Sequence, residues 1–320
     1  MTRRGLVLGG GGVLGAAWSI GALCALEDHL KTDVRDFDHI VGTSAGSVLA
    51  AMLGAGITPR ELREHQLGGQ VQGLLGELEW DHETATGGHR PLRPRLGPGS
   101  PRLVAHNARR LWRLPPTAVL SAFVPEGRGS LDGIHALIEG VTPDGWSPHP
   151  GVWIVTMNYE TGRRVPFGRP GEPTASLAEA VTASCAIPGW FSPVVIDGYR
   201  YVDGGACSAT SVDILAGLGL DEVYVVAPMV SPAVDRPASL LGKLERQWRS
   251  RTTKRCHREA DKLRAEGTRV TILGPSPDDL RAFGANVMDV TRRLHVLDTS
   301  AWTTERALRR AGRDELADAG

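Results

Sequence analysis

Ser44 stands in Gly42-Thr43-Ser44-Ala45-Gly46, a G-x-S-x-G pattern. Glycines two residues to either side let a serine sit on a tight strand-to-helix turn with its hydroxyl projecting, as a nucleophile requires. With 40 glycines in 320 residues the pattern arises by chance about 0.3 times, so alone it is weak. Its bland reading is a packing turn with an N-capping serine. A second signal is the run Gly9–Gly15, GGGGVLG. Gly10, Gly12 and Gly15 match G-x-G-x-x-G, which opens a helix and aims N–H groups at a pyrophosphate. Asp33 and Asp36 lie near the spacing of a ribose-binding acid. The same loop can instead donate backbone N–H bonds to an oxyanion in acyl transfer. That reading gives Ser44 a use, whereas dinucleotide binding leaves it idle. The third signal is Asp203-Gly204-Gly205, a carboxylate at a strand end with two glycines freeing the backbone. Asp-Gly also occurs at 132–133, 144–145 and 197–198, where turns are the ordinary reason.

These residues need rigid elements to hold them. The pattern predicts strands over Gly5–Leu8 and His39–Gly42, each running into one of the glycine motifs. Helices are expected over Leu14–Leu30 and Ser44–Gly54, and Thr58-Pro59 with Glu61 reads as another helix start. Further on come a helix over Leu131–Val141, a strand over Val152–Met157 paired with Arg164–Phe167, and a helix over Ser176–Ala183. Val194–Ile196 and Tyr199–Val202 around Asp197-Gly198 read as a hairpin with a type I′ turn. Strands over Glu222–Ala227 and Arg269–Leu273 flank a long helix from about residue 238 to 265. Strands alternating with helices give an α/β fold, a three-layer α/β/α sandwich with a central, mostly parallel sheet. No linker or repeat divides the chain, so residues 1–320 are expected to form one domain, ending in a helical region from about residue 277.

Composition bounds the function. Lys+Arg and Asp+Glu are both 36, so no global basic field exists for gripping nucleic acid. Cys24, Cys185, Cys207 and Cys256 are scattered, which suits reduced thiols in a cytoplasmic protein and neither a disulfide scaffold nor a zinc knuckle. No metal site is expected. Arg3 and Arg4 precede an uncharged stretch to Leu26 that imitates a signal or span, but seven glycines, among them Gly9–Gly12, weaken any helix there. Residues 82–130 are rich in Pro, Gly and Arg, and no acidic residue falls between Glu83 and Glu126. They read as a solvated insertion, with a basic lid on an anionic membrane surface as the sharper alternative. Lys243 to Arg264 holds nine basic and three acidic residues, with Leu240, Leu244, Trp248 and Leu263 as a partial apolar stripe. That is a docked helix or, less simply, a membrane-surface one. His39, His65, His257 and His295 offer no distinctive loop context for a Ser–His–Asp triad.

The separated blocks resemble the patatin-like phospholipase family in type and order. Gly10–Gly12 with Gly15 is similar to its oxyanion-hole loop, Gly42–Gly46 to its nucleophile elbow, and Asp203-Gly204-Gly205 to its catalytic aspartate motif. The stretch Ala183–Pro193, ASCAIPGWFSP, is similar to the segment upstream of that aspartate. The resemblance spans about residues 5–230. It implies a lipid acyl hydrolase of phospholipase, lysophospholipase or carboxylesterase type, needing no cofactor. Ser44 would be the nucleophile and Asp203 the base of a dyad acting on a lipid ester. Leu14 stands where the family usually has Arg or Lys, which moves the expectation from phospholipids toward neutral lipids or shorter esters. A nucleotide-binding protein using Gly10–Gly15 and a catalytically silent lipid-binding protein are the competing readings.

Overall fold

The computed structural model describes residues 2–71, 73, 75–76, 93–232 and 240–318. Chain order begins β1 (Arg4–Leu8), α1 (Gly12–Leu30), β2 (His39–Thr43), α2 (Ala45–Gly54) and α3 (Pro59–Gln66). Then follow α4 (Pro101–His106), α5 (Pro116–Phe123), α6 (Asp132–Val141), β3 (Val152–Asn158), β4 (Arg164–Phe167), α7 (Leu177–Cys185), β5 (Val194–Ile196) and β6 (Tyr199–Asp203). The chain continues with β7 (Glu222–Val226), α8 (Leu240–Ala265), β8 (Arg269–Leu273), α9 (Pro277–Phe283) and α10 (Arg293–Asp318). The sheet order is β5-β6-β3-β2-β1-β7-β8, with β4 also on β3. Strands β3, β2, β1, β7 and β8 run parallel, and β4, β5 and β6 add antiparallel pairings. The expected α/β sandwich with a mostly parallel sheet is the observed fold.

Alternation along the strands builds the two interfaces of the sandwich. Leu6, Leu8, Ile40, Ile154, Tyr224 and Val226 face one core, beneath α1, α2, α6 and α7. Val7, Val41, Trp153, Val155, Val223 and Val225 face the other, beneath Cys256, Ala260 and Leu263 of α8. Helix α1 forms where it is expected and is covered on both sides. It is apolar on every side and buried over most of its length, because α10 covers the face that a two-layer packing would leave wet. The α1–α10 crossing is tight: a Cβ at Gly21 would lie 2.0 Å from the Ser300 hydroxyl and 2.6 Å from the Leu297 carbonyl oxygen.

The basic stretch corrects the solvated-insertion reading where it is described; residues 82–92 lie outside the described residues. Leu103 of α4 and Ala118 and Ala122 of α5 are buried against Met157, Tyr159, Val202 and Cys207. The arginines ride on the outside, where Arg102 pairs with Glu160 at 2.9 Å and Arg95 with Glu126 at 3.8 Å. Helix α8 is likewise docked, with Trp248 half exposed; the side chains of Leu240 and Leu244 lie outside the described residues. The Asp197-Gly198 hairpin has φ of 48° and 78°, as a type I′ turn requires. No helix among the described residues is long and apolar enough to cross a membrane.

One feature of the sheet positions the site. Strand β4 pairs with residues 154–157 of β3, and so occupies one edge of that strand. Strands β2 and β6 must therefore share the other edge end to end, β2 on residues 152–155 and β6 on 156–158. Thr43 pairs with Val155 and Asp203 with Thr156, so the ends of β2 and β6 meet on consecutive β3 residues. The start of α2 must also lie close over β1, since a Cβ at Gly46 would sit 2.1 Å from the Leu8 carbonyl oxygen. Gly46→Ala is therefore expected to cost about 3 kcal/mol by urea denaturation. Trp112→Ser, at a side chain 76% exposed, should stay within about 0.5 kcal/mol.

Candidate active site

Ser44 sits between β2 and α2 with φ 54° and ψ −127°, a conformation L-residues avoid. Holding it costs about 1–3 kcal/mol, which the surrounding contacts must supply. The flanking glycines make the turn sterically feasible. A Cβ at Gly42 would lie 2.5 Å from the Gly46 carbonyl oxygen and 2.6 Å from the Ser47 Cα. Although Ser44 is the N-cap residue of α2, its hydroxyl makes no capping bond. Ser47 donates to the Ser44 carbonyl instead, through both its amide at 2.7 Å and its hydroxyl at 2.6 Å. The packing-turn reading thus fails on the point that matters: the Ser44 hydroxyl is not spent on capping the helix.

Asp203 is buried at the end of β6, 6% exposed. Its amide donates to Ala186 at 3.0 Å, and its Oδ1 accepts from the Gly205 amide at 2.7 Å. Burial pushes its carboxyl up to about 6. The Gly205 amide and then the Ser44 hydroxyl pull the other way, favouring the carboxylate. Gly204 has no room for a side chain, since a Cβ would lie 2.5 Å from the Val155 carbonyl oxygen. That oxygen lies at the join between β2 and β6, and Ser184 of α7 satisfies it. Its hydroxyl donates to Val155 at 2.7 Å and accepts the Ser44 amide at 2.9 Å. Ser184 thereby ties the Ser44 backbone to the strand that aligns Asp203.

The glycine loop abuts this pair. A Cβ at Gly10 would lie 3.1 Å from the Ser44 Cβ. The Gly10 amide already donates to Ala209 at 2.9 Å, which removes Gly10 from the expected oxyanion donors and leaves it a packing role. The amides of Gly11 and Gly12 have no acceptor among the described residues, as befits the first positions of α1. Gly12 needs its φ of 62°, and a Cβ there would meet the Met288 sulfur at 2.8 Å. A Cβ at Gly11 or Gly15 would meet Pro228, at 2.7 Å and 3.1 Å. Pro228 is held in turn by Arg249, a buried guanidinium that donates to its carbonyl oxygen, pairs with Glu245 and lies over Phe283.

A cavity of about 120 Å3 opens at Ser44 and Gly12. Ile20, Leu49, Met52, Leu137 and Phe191 give it an apolar wall, and His65, Gln66 and Arg293 a polar patch. Cys185 also lines it, but burial and then the Asp203 charge push its thiol up to about 12, so it is no rival nucleophile. His39 packs against Trp153 with the rings tilted, at the far end of β2, and His257 and His295 are exposed on α8 and α10. No histidine among the described residues bonds Asp203. No group of three or more His, Cys, Asp or Glu among the described residues could hold a metal. Ser184, Pro228, Met288 and Arg293 were not foreseen. Ser184 lies in the ASCAIPG stretch, whose small residues hinted at close packing; the other three carry no motif.

Ser184→Ala strands the Ser44 amide and the Val155 carbonyl in a buried place. A loss of about 1–3 kcal/mol is expected by urea denaturation. Faster deuterium exchange at the Ser44 amide should accompany it.

The family model described as patatin-like phospholipase matches residues 6–216, from β1 through Asp203 and its glycines. Among solved structures, VipD from Legionella pneumophila aligns with 94% of this chain and 67% of its own length. The identity is 15% and the TM-score 0.44, too low to bear on the site. With two thirds of its length matched, and with the fold that match demands, the chain belongs to the patatin-like phospholipase family, and so among lipid acyl hydrolases.

Proposed function

We propose that the protein hydrolyses carboxylic esters of lipids through an acyl-Ser44 intermediate, with Asp203 as the base of a two-residue machinery. The observation that carries this is the pairing of an uncapped serine hydroxyl, held at positive φ, with a buried carboxyl raised to about 6. An ordinary carboxylate is a poor base for a hydroxyl; burial moves Asp203 toward the useful range. Ser44 Oγ attacks the ester carbonyl as its proton passes to Asp203. The amides of Gly11 and Gly12 receive the developing oxyanion, each such donor being worth about 2.7–4 kcal/mol in comparable sites. Collapse expels the alcohol, which takes its proton from Asp203. Water, activated by Asp203, then releases the acid and restores Ser44. The apolar wall of the cavity suits an acyl chain. In this reading residues 1–320 act as one hydrolase domain.

The nucleotide alternative loses ground to the surroundings of α1. Val287 accepts the Leu14 amide at 2.9 Å and Met288 covers Gly12, where a pyrophosphate would need to approach. Asp33 is occupied by Arg35 at 2.6 Å. A silent lipid-binding protein is separated by experiment. A fluorophosphonate probe should label Ser44, with no adduct in Ser44→Ala and labelling slowed about 10²–10⁴-fold in Asp203→Asn. No adduct on folded protein, with liposomes present, sinks the hydrolase reading.

The labelling rate should rise as pH passes upward through about 6, as Asp203 ionises, and level off above. Stability moves the opposite way. A carboxyl whose folded pKa lies above its ordinary 3.8 holds its proton more firmly in the folded state. Stability therefore falls as pH rises from about 3.8 to about 6. Asp203→Asn, which can still accept the Gly205 amide, should melt no lower than wild type at pH 8, measured by calorimetry.

A peripheral membrane contact belongs to the same reading. Trp112, Leu120 and Phe123 are exposed among Arg109, Arg110 and Arg113, with no acidic residue between. The protein is expected to sediment with phosphatidylglycerol vesicles more than with phosphatidylcholine vesicles, and Trp112→Ser to reduce that fraction.

A further inference from the structure

The region beyond the family match supplies part of the cavity wall. Helix α10 is fixed on α1 by the Gly21–Ser300 crossing, and the segment before it covers the glycine loop through Val287 and Met288. The same anchoring delivers Arg293, the first residue of α10, to the cavity that Ser44 opens into.

Arg293 is an unusual wall residue. Its Nη1 donates to the carbonyl oxygen of Gln66 at 2.7 Å and to the Gln66 side-chain oxygen. Both partners are neutral. Its Nε and Nη2 bond nothing among the described residues, and no carboxylate among them pairs with it. The acids closest in sequence are engaged elsewhere: Asp289 lies 3.4 Å from Arg292, and Asp298 lies 3.6 Å from Arg63. The first turn of α10 contains no acidic residue, so the positive end of its dipole adds to the charge. Burial pushes the Arg293 pKa down with no carboxylate to offset it, though a guanidinium stays protonated. His65, beside it on the wall, has its pKa lowered by burial and then by the Arg293 charge. A half-buried cation with unused donors, set in an apolar cleft, is costly unless an anion completes it.

The position of the family's usual loop cation gives no such group here. Leu14 is fully buried in the core. We propose that Arg293 forms an oxyanion subsite of the cleft, so that the protein takes a single-chain or larger amphiphile carrying a phosphate or carboxylate group, the chain lying along the apolar wall and the anion on the free edge of the guanidinium. The proposal rests on the cleft being the ester site. It reverses the preference for neutral lipids that Leu14 alone suggests, because the cation has come from another part of the chain.

The test is binding, which does not require turnover. Dodecyl phosphate, dodecanoate and dodecanol are titrated into wild type, Arg293→Gln and Arg293→Lys by calorimetry. Dodecyl phosphate or dodecanoate is expected to bind wild type at least about tenfold more tightly than dodecanol, as one charged hydrogen bond allows. Which of the two anions binds better separates a phosphate from a carboxylate subsite. Arg293→Gln should erase the advantage while leaving dodecanol binding unchanged, and Arg293→Lys should retain most of it. Melting curves of the variants exclude a general loss of fold, which would weaken all three ligands alike. Equal binding of anion and alcohol by wild type, or an advantage that survives in Arg293→Gln, overturns the subsite. Absence of serine labelling in wild type would instead overturn the hydrolase reading, and the two failures are read independently.

Discussion

The site hangs on one edge of β3. Because β4 takes the opposite edge, β2 and β6 must be laid end to end along the same side. Two strand ends distant in the chain are thus brought to neighbouring residues by backbone hydrogen bonds, before any side chain is considered. The join is the weak point of that arrangement, since the ladder passes there from one strand to another. Ser184 fills it and at the same time holds the Ser44 amide. One hydroxyl therefore repairs the sheet and fixes the turn on which the candidate nucleophile rides.

The chemistry and the stability of this arrangement pull against each other. Burial raises the Asp203 carboxyl, which would suit the proposed base but burdens the folded state once it ionises. Positive φ at Ser44 frees the hydroxyl from capping but strains the backbone. Both costs fall at the ends of strands buried on both faces, where dense packing limits relaxation. The glycines mark where that density is greatest. Gly42, Gly46 and Gly204 would each put a Cβ within 2.5 Å of a backbone oxygen.

That is also why these parts were legible in the sequence. A backbone contact that excludes a Cβ leaves its trace as glycine, whatever the rest of the chain does. Gly42, Gly46 and Gly204 could be read for this reason, and so could the strands carrying them. Gly10 lies beside Ser44 but was given a donor's task, since nothing local reveals that its amide is taken by Ala209. The arginine-rich stretch misled because composition registers the exposed face alone. Leu103, Ala118 and Ala122 bury a small face, and the arginines find Glu126 and Glu160 far along the chain. That α1 is covered on its far side as well is not legible locally, because the helix that covers it lies some 270 residues later, a separation that periodicity does not sense.

The same distance explains the residues that no motif announced. Pro228, Met288 and Arg293 reach the glycine loop or the cleft from the part of the chain that follows the family match, and each does so through a neighbour rather than by its own type. Arg249 holds Pro228, and Gly21 lets α10 descend far enough onto α1 for Met288 and Arg293 to arrive. Strands and loops of the matched region fix where the ester would be cut. The later helices close over that frame and decide what charge the occupant meets beside it. On the proposed reading, reaction and selectivity fall to different stretches of one chain, so that either can change without dismantling the other.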